Sequence, residues 1–385
     1  MDFSNIKVLV IDSAGKQPYA MVRGLKDIGC HVTVLCTSKL DPCYVSNKPD
    51  MKILNREIAA NEDIKLNYLQ TLLSNGQFDV MMPIGEASTD FVTRNEATFA
   101  QYVRLACAPR NIYIKAYDKQ ITFDQAIESG IPCPLTRHSS QSIDDFLSKA
   151  KFPIIIKPRN GIGSIGFHKF NSESEFRTML SDNNFDINDY VLQEFVNFEN
   201  RIGTNLFIDP NGNVCTAYAV DVLRWFPLDA GAGVLIHTVN AHKELEYAAR
   251  LLKDLGWQGF ANVAFMIEKE TGNPLLMEIN GRIPASIKMS YECGFNISRQ
   301  FIEMVYGNNV TRYPENTKFG KYLRHLDTDV AWFLKSPSRF RTQPSWFSWG
   351  NTVEALFSRD DPKPFFSQFM QKMFSYRKIM RAKKH

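Results

Sequence analysis

No stretch of the 385 residues approaches the roughly 18 apolar positions that a membrane-crossing helix needs. The opening residues, Met-Asp-Phe-Ser-Asn, lack the basic and apolar regions of a secretory leader. Cysteine is sparse and scattered: seven residues, at 30, 36, 43, 107, 133, 215 and 293, with no Cys-x-x-Cys pair. That spacing supports neither a disulfide framework nor a zinc site. A reduced, soluble, cytoplasmic protein is expected. Charge of one sign is lacking too: 45 Lys and Arg stand against 41 Asp and Glu, for a net +4. Six of those bases (Lys372, Arg377, Lys378, Arg381, Lys383 and Lys384) fall between Phe365 and His385, where there is no acid. The remainder holds 39 bases against 41 acids, so no nucleic-acid partner is expected. There is no internal repeat, no low-complexity segment, and no Ser/His/Asp or Cys/His nucleophile arrangement.

What is present is ordinary globular material, 44% hydrophobic and 22% charged, in a chain long enough for two or three packed units. Residues 6–11 read as a buried parallel strand. The polar turn Asp12 to Lys16 then leads into a helix through Met21, Val22, Leu25 and Ile28, closed by Gly29. A strand at 31–35, a helix near 62–74, a strand at 78–82 and a helix near 87–99 continue the alternation. A doubly wound α/β domain is predicted over 1–112. Residues 113–190 predict helices at 118–129 and 142–150, a strand at 153–157, a glycine-rich segment and a strand at 167–170. The capping box Ser172-x-x-Glu175 then opens another helix. Over 191–312 strands dominate, near 190–196, 202–208, 214–222, 260–268 and 274–279, with one helix near 243–255. Residues 313–385 form an extension rich in Trp, Phe and Pro.

Two segments carry chemistry. Gly161-Ile-Gly163-Ser164-Ile-Gly166 matches G-x-G-x-x-G, but a strand rather than a helix follows the third glycine. A dinucleotide fingerprint needs the helix, so a nicotinamide oxidoreductase is disfavoured. The segment reads instead as a β-hairpin whose tip offers backbone N–H groups to phosphates. Lys157, four residues earlier, reaches the same anions, although an ordinary glycine hairpin with a surface lysine accounts for the same residues. In the second segment, Glu278-Ile-Asn280-Gly-Arg282, alternate residues of a strand share one face. A carboxylate, an amide oxygen and a guanidinium on that face suit a Mg²⁺–phosphate site. A solvated face with a Glu278–Arg282 salt bridge is the simpler reading.

Taken in order, these segments resemble the ATP-grasp superfamily of carboxylate–amine ligases, including the ATP-binding halves of carbamoyl-phosphate synthases, over roughly residues 5–310. The resemblance implies an N-terminal doubly wound α/β domain followed by a two-lobed ATP-grasp domain. Its lid would be 113–190 and its second lobe 191–312. It implies ATP and Mg²⁺ as cofactors. Lys119, Lys157, Gly161, Gly163, Ser164 and Gly166 would serve the phosphates. Gln193, Glu194, Val196 and Glu199 would form the hinge that binds the nucleoside. Glu278 and Asn280 would hold the metal, with Arg282 at the point of phosphoryl transfer. The implied reaction makes an acyl phosphate from a small-molecule carboxylate for attack by an amine.

One position departs from the pattern. The further metal ligand that the family carries two residues after the position of Asn262 is Ala264 here, which leaves a non-catalytic ATP-binding or regulatory protein as the alternative. Arg224 and His237 flank a glycine-bearing segment, 221–237, read as a loop entering the cleft, where they would hold the substrate carboxylate. The bland readings are a surface cation–π pair of Arg224 with Trp225 and a satisfied strand histidine. Glu86, after Pro83-Ile-Gly85, ends a strand toward the same cleft. The last segment places apolar residues at 366, 369, 370, 373, 376 and 380 on a basic helix. That pattern suits either docking on the protein or peripheral contact with the inner face of a membrane. A ligase of surface-polysaccharide or peptide-like metabolite synthesis would suit such a location. A homodimer is a further expectation that no residue specifies.

Overall fold

The structure is a computed structural model that describes residues 2–161, 166–182, 185–228, 231–314 and 318–382, with side chains described as far as Lys372. Its first layer is a parallel sheet of β1 (Lys7–Val10), β2 (His31–Cys36), β3 (Met51–Leu54), β4 (Val80–Met82) and β5 (Arg104–Leu105), in the order β3-β2-β1-β4-β5. Helices α1 (Lys16–Asp27), α2 (Pro42–Val45), α3 (Glu62–Ser74), α4 (Glu86–Arg94) and α5 (Glu96–Phe99) connect its strands. The run Val8-Leu9-Val10 is wholly buried because helices cover both faces of a parallel sheet. The strand order reverses between β1 and β4, and a crevice opens there beyond the carboxyl ends of the strands. Asp12, just past β1, fixes the crevice by accepting hydrogen bonds from Ile84 N (2.7 Å), Gly85 N (3.2 Å) and Ser88 Oγ (2.6 Å). Glu86, the first residue of α4, is thereby held at its mouth.

Helices α6 (Arg110–Tyr117), α7 (Lys119–Glu128) and α8 (Ile143–Leu147) lead to a small antiparallel sheet. It consists of β6 (Ile154–Pro158), β7 (His168–Phe170) and β8 (Tyr190–Glu194), in the order β7-β6-β8, with α9 (Glu173–Leu180) over it. Pairing of Ile154 with Phe170 and of Ile156 with His168 makes β6 and β7 the expected hairpin. This unit has its own small core of Phe146, Ile154, Ile156, Phe170, Phe176 and Leu192.

The largest sheet joins β9 (Phe198–Ile208), β10 (Val214–Phe226), β11 (Ala232–Val239), β12 (Gly259–Glu268) and β13 (Pro274–Asn280), flanked by α10 (His242–Asp254), α11 (Lys288–Glu292) and α12 (Ile297–Val305). Two strands from beyond residue 312 complete it, β14 (Tyr322–Arg324) and β15 (Thr352–Glu354), in the order β13-β12-β9-β10-β11-β14-β15. The aromatic-rich extension is therefore woven into the sheet. Its helix α13 (Leu326–Lys335) packs on β10 and β11. The first turns of α14 (Lys363–Ala382) lie against α2, with Ser367 Oγ donating to the Leu40 carbonyl at 2.5 Å. Phe366 and Met370 remain exposed on that helix, and the side chains of 373, 376 and 380 lie outside the described residues. One apolar core, containing Val8, Val10, Phe207, Tyr218, Ile236, Phe260 and Ile302, fuses the parallel sheet to the large one. Among the described residues no helix is long and apolar enough to cross a membrane.

The segment 221–237 is a hairpin of β10 and β11, which corrects its reading as a loop. Its glycines serve close packing. A Cβ on Gly231 would lie 1.9 Å from the Phe226 carbonyl carbon, and one on Gly233 would lie 3.1 Å from Val222 Cγ1. At Gly231 only glycine allows the backbone approach, and at Gly233 a side chain would crowd Val222.

Candidate active site

Where β12 and β13 run beside the crevice of the parallel sheet, a cavity of about 340 Å³ opens. Its walls include Glu86, Tyr113, Lys119, Gly161, Arg201, Asn262, Ala264, Glu278, Asn280, Arg282 and His325. Register explains why residues of β12 and β13 meet there. Asn262 lies opposite Asn280 and Ala264 opposite Glu278 across the β12–β13 ladder. Directly opposed side chains start only about 5 Å apart.

A chain of hydrogen bonds links the group. Asn280 Nδ2 donates to Glu278 Oε1 at 3.1 Å, and Arg282 Nη2 donates to Asn280 Oδ1 at 3.1 Å. Arg282 lies two residues past the end of β13, where it approaches Glu86 Oε2 at 3.8 Å rather than pairing with Glu278. Gly281 permits the turn between them, since a Cβ there would come within 2.5 Å of the Trp257 ring. Burial raises the Glu86 carboxyl above its ordinary value, opposed by the charges of Arg282 and Lys119 and reinforced by Glu278.

Two lysines approach from the other side. Lys119 opens α7, whose N-cap Asp118 is locked by Arg159 Nη2 at 2.6 Å. The Lys119 ammonium donates to the Gly161 carbonyl at 2.9 Å. Lys157 Nζ donates to the Met277 carbonyl at 3.2 Å and sits 4.4 Å from the centre of the Phe123 ring. Burial pushes its pKa down to about 8, against the opposing charge of Glu278 and with the repulsion of Lys119 added. Three cations lining the cavity (Lys119, Arg201 and Arg282) thus face two carboxylates (Glu86 and Glu278), an excess that suits a polyanion, while Lys157 is buried against the Met277 carbonyl and does not line the cavity.

The other expected residues lie elsewhere. Gly161 and Gly166 both have positive φ, 104° and 78°, at the ends of the hairpin tip, and Gly163 and Ser164 lie outside the described residues. Gln193 is buried in β8 and donates to Thr136 Oγ1 at 2.6 Å, while Glu194 accepts from Lys151 N at 2.5 Å. These two, with Val196 and Glu199 on the way into β9, are not among the residues lining the cavity.

Arg224 and His237 do not reach the cavity either, which corrects their expected placement. Arg224 is 1% exposed, ion-paired to Asp329 at 2.8 Å and stacked on Trp332 at 4.9 Å. Trp225 is stacked against Arg201 instead, at 4.7 Å. His237 approaches Asp221 at 3.2 Å and stacks on Tyr322 at 5.3 Å, the satisfied strand histidine of the simpler reading.

Two cavity residues carried no sequence signal. Arg201 on β9 reaches the cavity with a buried Nε that has no partner among the described residues, and its Nη2 donates to the Gly231 carbonyl at 3.0 Å. Burial lowers its pKa, opposed by Glu278. His325, between β14 and α13, is 4% exposed with an Nδ1 that has no partner among the described residues, and burial with the Lys16 charge lowers its pKa against the opposing charge of Asp327.

Known proteins resemble the chain in sequence and in fold. The chain is similar to the carbamoyl phosphate synthase large chain of Halomonas eurihalina, 22% identical over 235 residues, which are 57% of this chain. It spans only 22% of that relative's length. Its fold matches the biotin carboxylase domain of Hydrogenobacter thermophilus 2-oxoglutarate carboxylase, solved with MgADP and bicarbonate. The TM-score is 0.66 at 16% identity, covering 82% of this chain and 73% of that one. An L-amino acid ligase from Bacillus licheniformis matches with a TM-score of 0.59 at 16% identity, covering 78% and 74%. The fold is that of the ATP-grasp ligases, and the resemblance read from the motifs holds. More particularly, residues 228–328 match the family described as ATP-grasp in the biosynthetic pathway with Ter operon.

Proposed function

We propose that this chain is an ATP- and Mg²⁺-dependent ligase that joins a small-molecule carboxylate to an amine. The observation that carries the reading is the meeting of Lys119, Glu278, Asn280 and Arg282 on one cavity at the edge of the glycine hairpin, with Lys157 buried beside it against the Met277 carbonyl of the strand that bears Glu278. Lys119 and Lys157 would take the phosphates, and the hinge from Gln193 to Glu199 the nucleoside. A substrate carboxylate oxygen would attack the γ-phosphorus as the bond to the bridging oxygen of ADP breaks, with Arg282 beside the transferring group. The amine lone pair would then attack the acyl carbon and expel phosphate. Glu86, the cavity carboxylate nearest Arg282 after β13 ends, would receive the proton that the amine loses. Arg201 would take over the carboxylate-holding role first expected of Arg224, because its guanidinium lines the cavity and Arg224 does not.

The donor set fits one Mg²⁺. No group of three His, Cys, Asp or Glu side chains converges among the described residues, so protein alone makes no cage. Glu278 keeps its second oxygen free of protein hydrogen bonds among those residues, and Asn280 adds an amide oxygen. Magnesium is commonly held by one or two such ligands together with substrate phosphates. When bound it would neutralise phosphate charge and polarise the γ-phosphoryl group.

Purified protein should release ADP from Mg-ATP in the presence of one carboxylate–amine pair from a panel of amino acids and sugar acids. Those compounds also cover the peptide-like and surface-polysaccharide pathways that the reading admits. A second reading, a non-catalytic ATP-binding protein, is favoured by Ala264, which removes a ligand position directly opposite Glu278. ATP binding with no ADP from any pair would decide for it. A homodimer is part of the proposal and is checked by sedimentation.

A further inference from the structure

The extension presents a surface that the ligase chemistry does not use. From Val330 to Val353 there is no Asp or Glu, and there are three bases, Lys335, Arg339 and Arg341. The same stretch holds the three most exposed large apolar side chains among the described residues, Leu334 at 68%, Phe340 at 72% and Phe347 at 64%. These are not loose ends. Phe333 lies 4.6 Å from Trp346, 5.5 Å from Phe340 and 5.8 Å from Phe347, ring centre to ring centre, so the aromatics form one ordered cluster. Arg339 stacks on Phe340 at 5.2 Å, and Lys335 and Arg341 are exposed.

Charge decides between occupants. A second copy placed symmetrically on this face would set basic rim against basic rim, because a twofold interface meets itself. An anionic bilayer complements both parts: aromatic rings settle at headgroup depth while Lys and Arg meet the phosphates. The neighbouring element continues the pattern. Helix α14 passes beside α13, and Lys372 lies near enough to lower the Asp327 pKa. From Lys363 onward the chain has no acid.

We propose that the face formed by Leu334, Phe340 and Phe347, with Lys335, Arg339 and Arg341 around them, is a peripheral docking surface for an anionic lipid bilayer. The full chain would be sedimented with vesicles of mixed phosphatidylglycerol and phosphatidylcholine, and with phosphatidylcholine alone. It partitions onto the first and not the second, less so as salt rises. The double variant Phe340→Ser/Phe347→Ser and the triple variant Lys335→Glu/Arg339→Glu/Arg341→Glu each lower the partition on the order of tenfold or more, measured on protein that circular dichroism shows to be folded. Three results overturn the proposal: no partition onto anionic vesicles, partition that both variants retain, or self-association in solution that the variants abolish. None of these depends on whether the protein makes ADP.

Discussion

Lys157 is held where an ammonium is uncomfortable without an anion. Its pKa is depressed to about 8 from an ordinary 10.5, so between those values the unfolded chain binds more protons than the folded one. The contribution of this group to stability therefore improves as pH rises through that window. Below it, the buried charge costs about 3 kcal/mol at most. Lys157→Met should raise the melting temperature of the nucleotide-free protein at pH 7 and weaken ATP binding about tenfold or more, read by thermal melts and calorimetry. A lower melting temperature with intact ATP binding would show that the lysine is structural. Ala264 supports a complementary test. Its place opposite Glu278 means that Ala264→Glu roots a second carboxylate on a Cβ about 5 Å from that of Glu278, and the Mg²⁺ concentration for half-maximal ADP release should fall. At this scale the sequence was most legible where one strand carries the chemistry. Glu278 and Asn280 follow a two-residue period that can be counted. Arg201 and His325 could not be found that way, because one reaches the cavity from β9 and the other from the junction of β14 and α13, and no spacing rule links residue 201 to 278 or 325.

The hairpin of β10 and β11 shows what an element can hide. Gly231 and Gly233 looked like loop residues, yet tight packing against Phe226 and Val222 requires them. Glycine reports absent bulk as readily as freedom, and sequence cannot tell the two apart. The same hairpin carries Arg224 into a buried cluster with Arg324 and Asp329, in which both guanidiniums approach one carboxylate oxygen, at 2.8 and 3.2 Å. Burial raises the Asp329 pKa while the two arginines oppose the shift. Asp329→Asn leaves two buried cations without a counter-charge and should cost about 3–5 kcal/mol of stability. Arg224→Met leaves the Arg324–Asp329 pair and should cost less, with ADP release per folded molecule unchanged. Denaturant titration and assays on the folded fraction check both. An equal loss from the two variants would mean that Arg324 is not paired as described.

Across the whole molecule the site is a junction. The crevice past β1 and β4 supplies Glu86, helix α7 and the glycine hairpin supply Lys119 and Gly161, and the large sheet supplies Arg201, Glu278, Asn280 and Arg282. The shared core between the two larger sheets holds the first and last of these contributions together. The alternation of strand and helix to residue 99 and the strands near 202–208, 214–222, 260–268 and 274–279 were readable because periodicity is local. The pairing of β11 with β14 was not, because a three-residue strand more than 80 residues downstream has no period of its own. The central claim is that this junction transfers a phosphoryl group from ATP to a carboxylate. Its most direct test is ADP release from Mg-ATP, over the carboxylate–amine panel, by the parent protein and by Lys157→Met and Glu278→Ala. The account predicts release that depends on one acceptor pair and falls at least a hundredfold in each variant, about 3 kcal/mol of lost transition-state stabilisation. Release that both variants retain would contradict it.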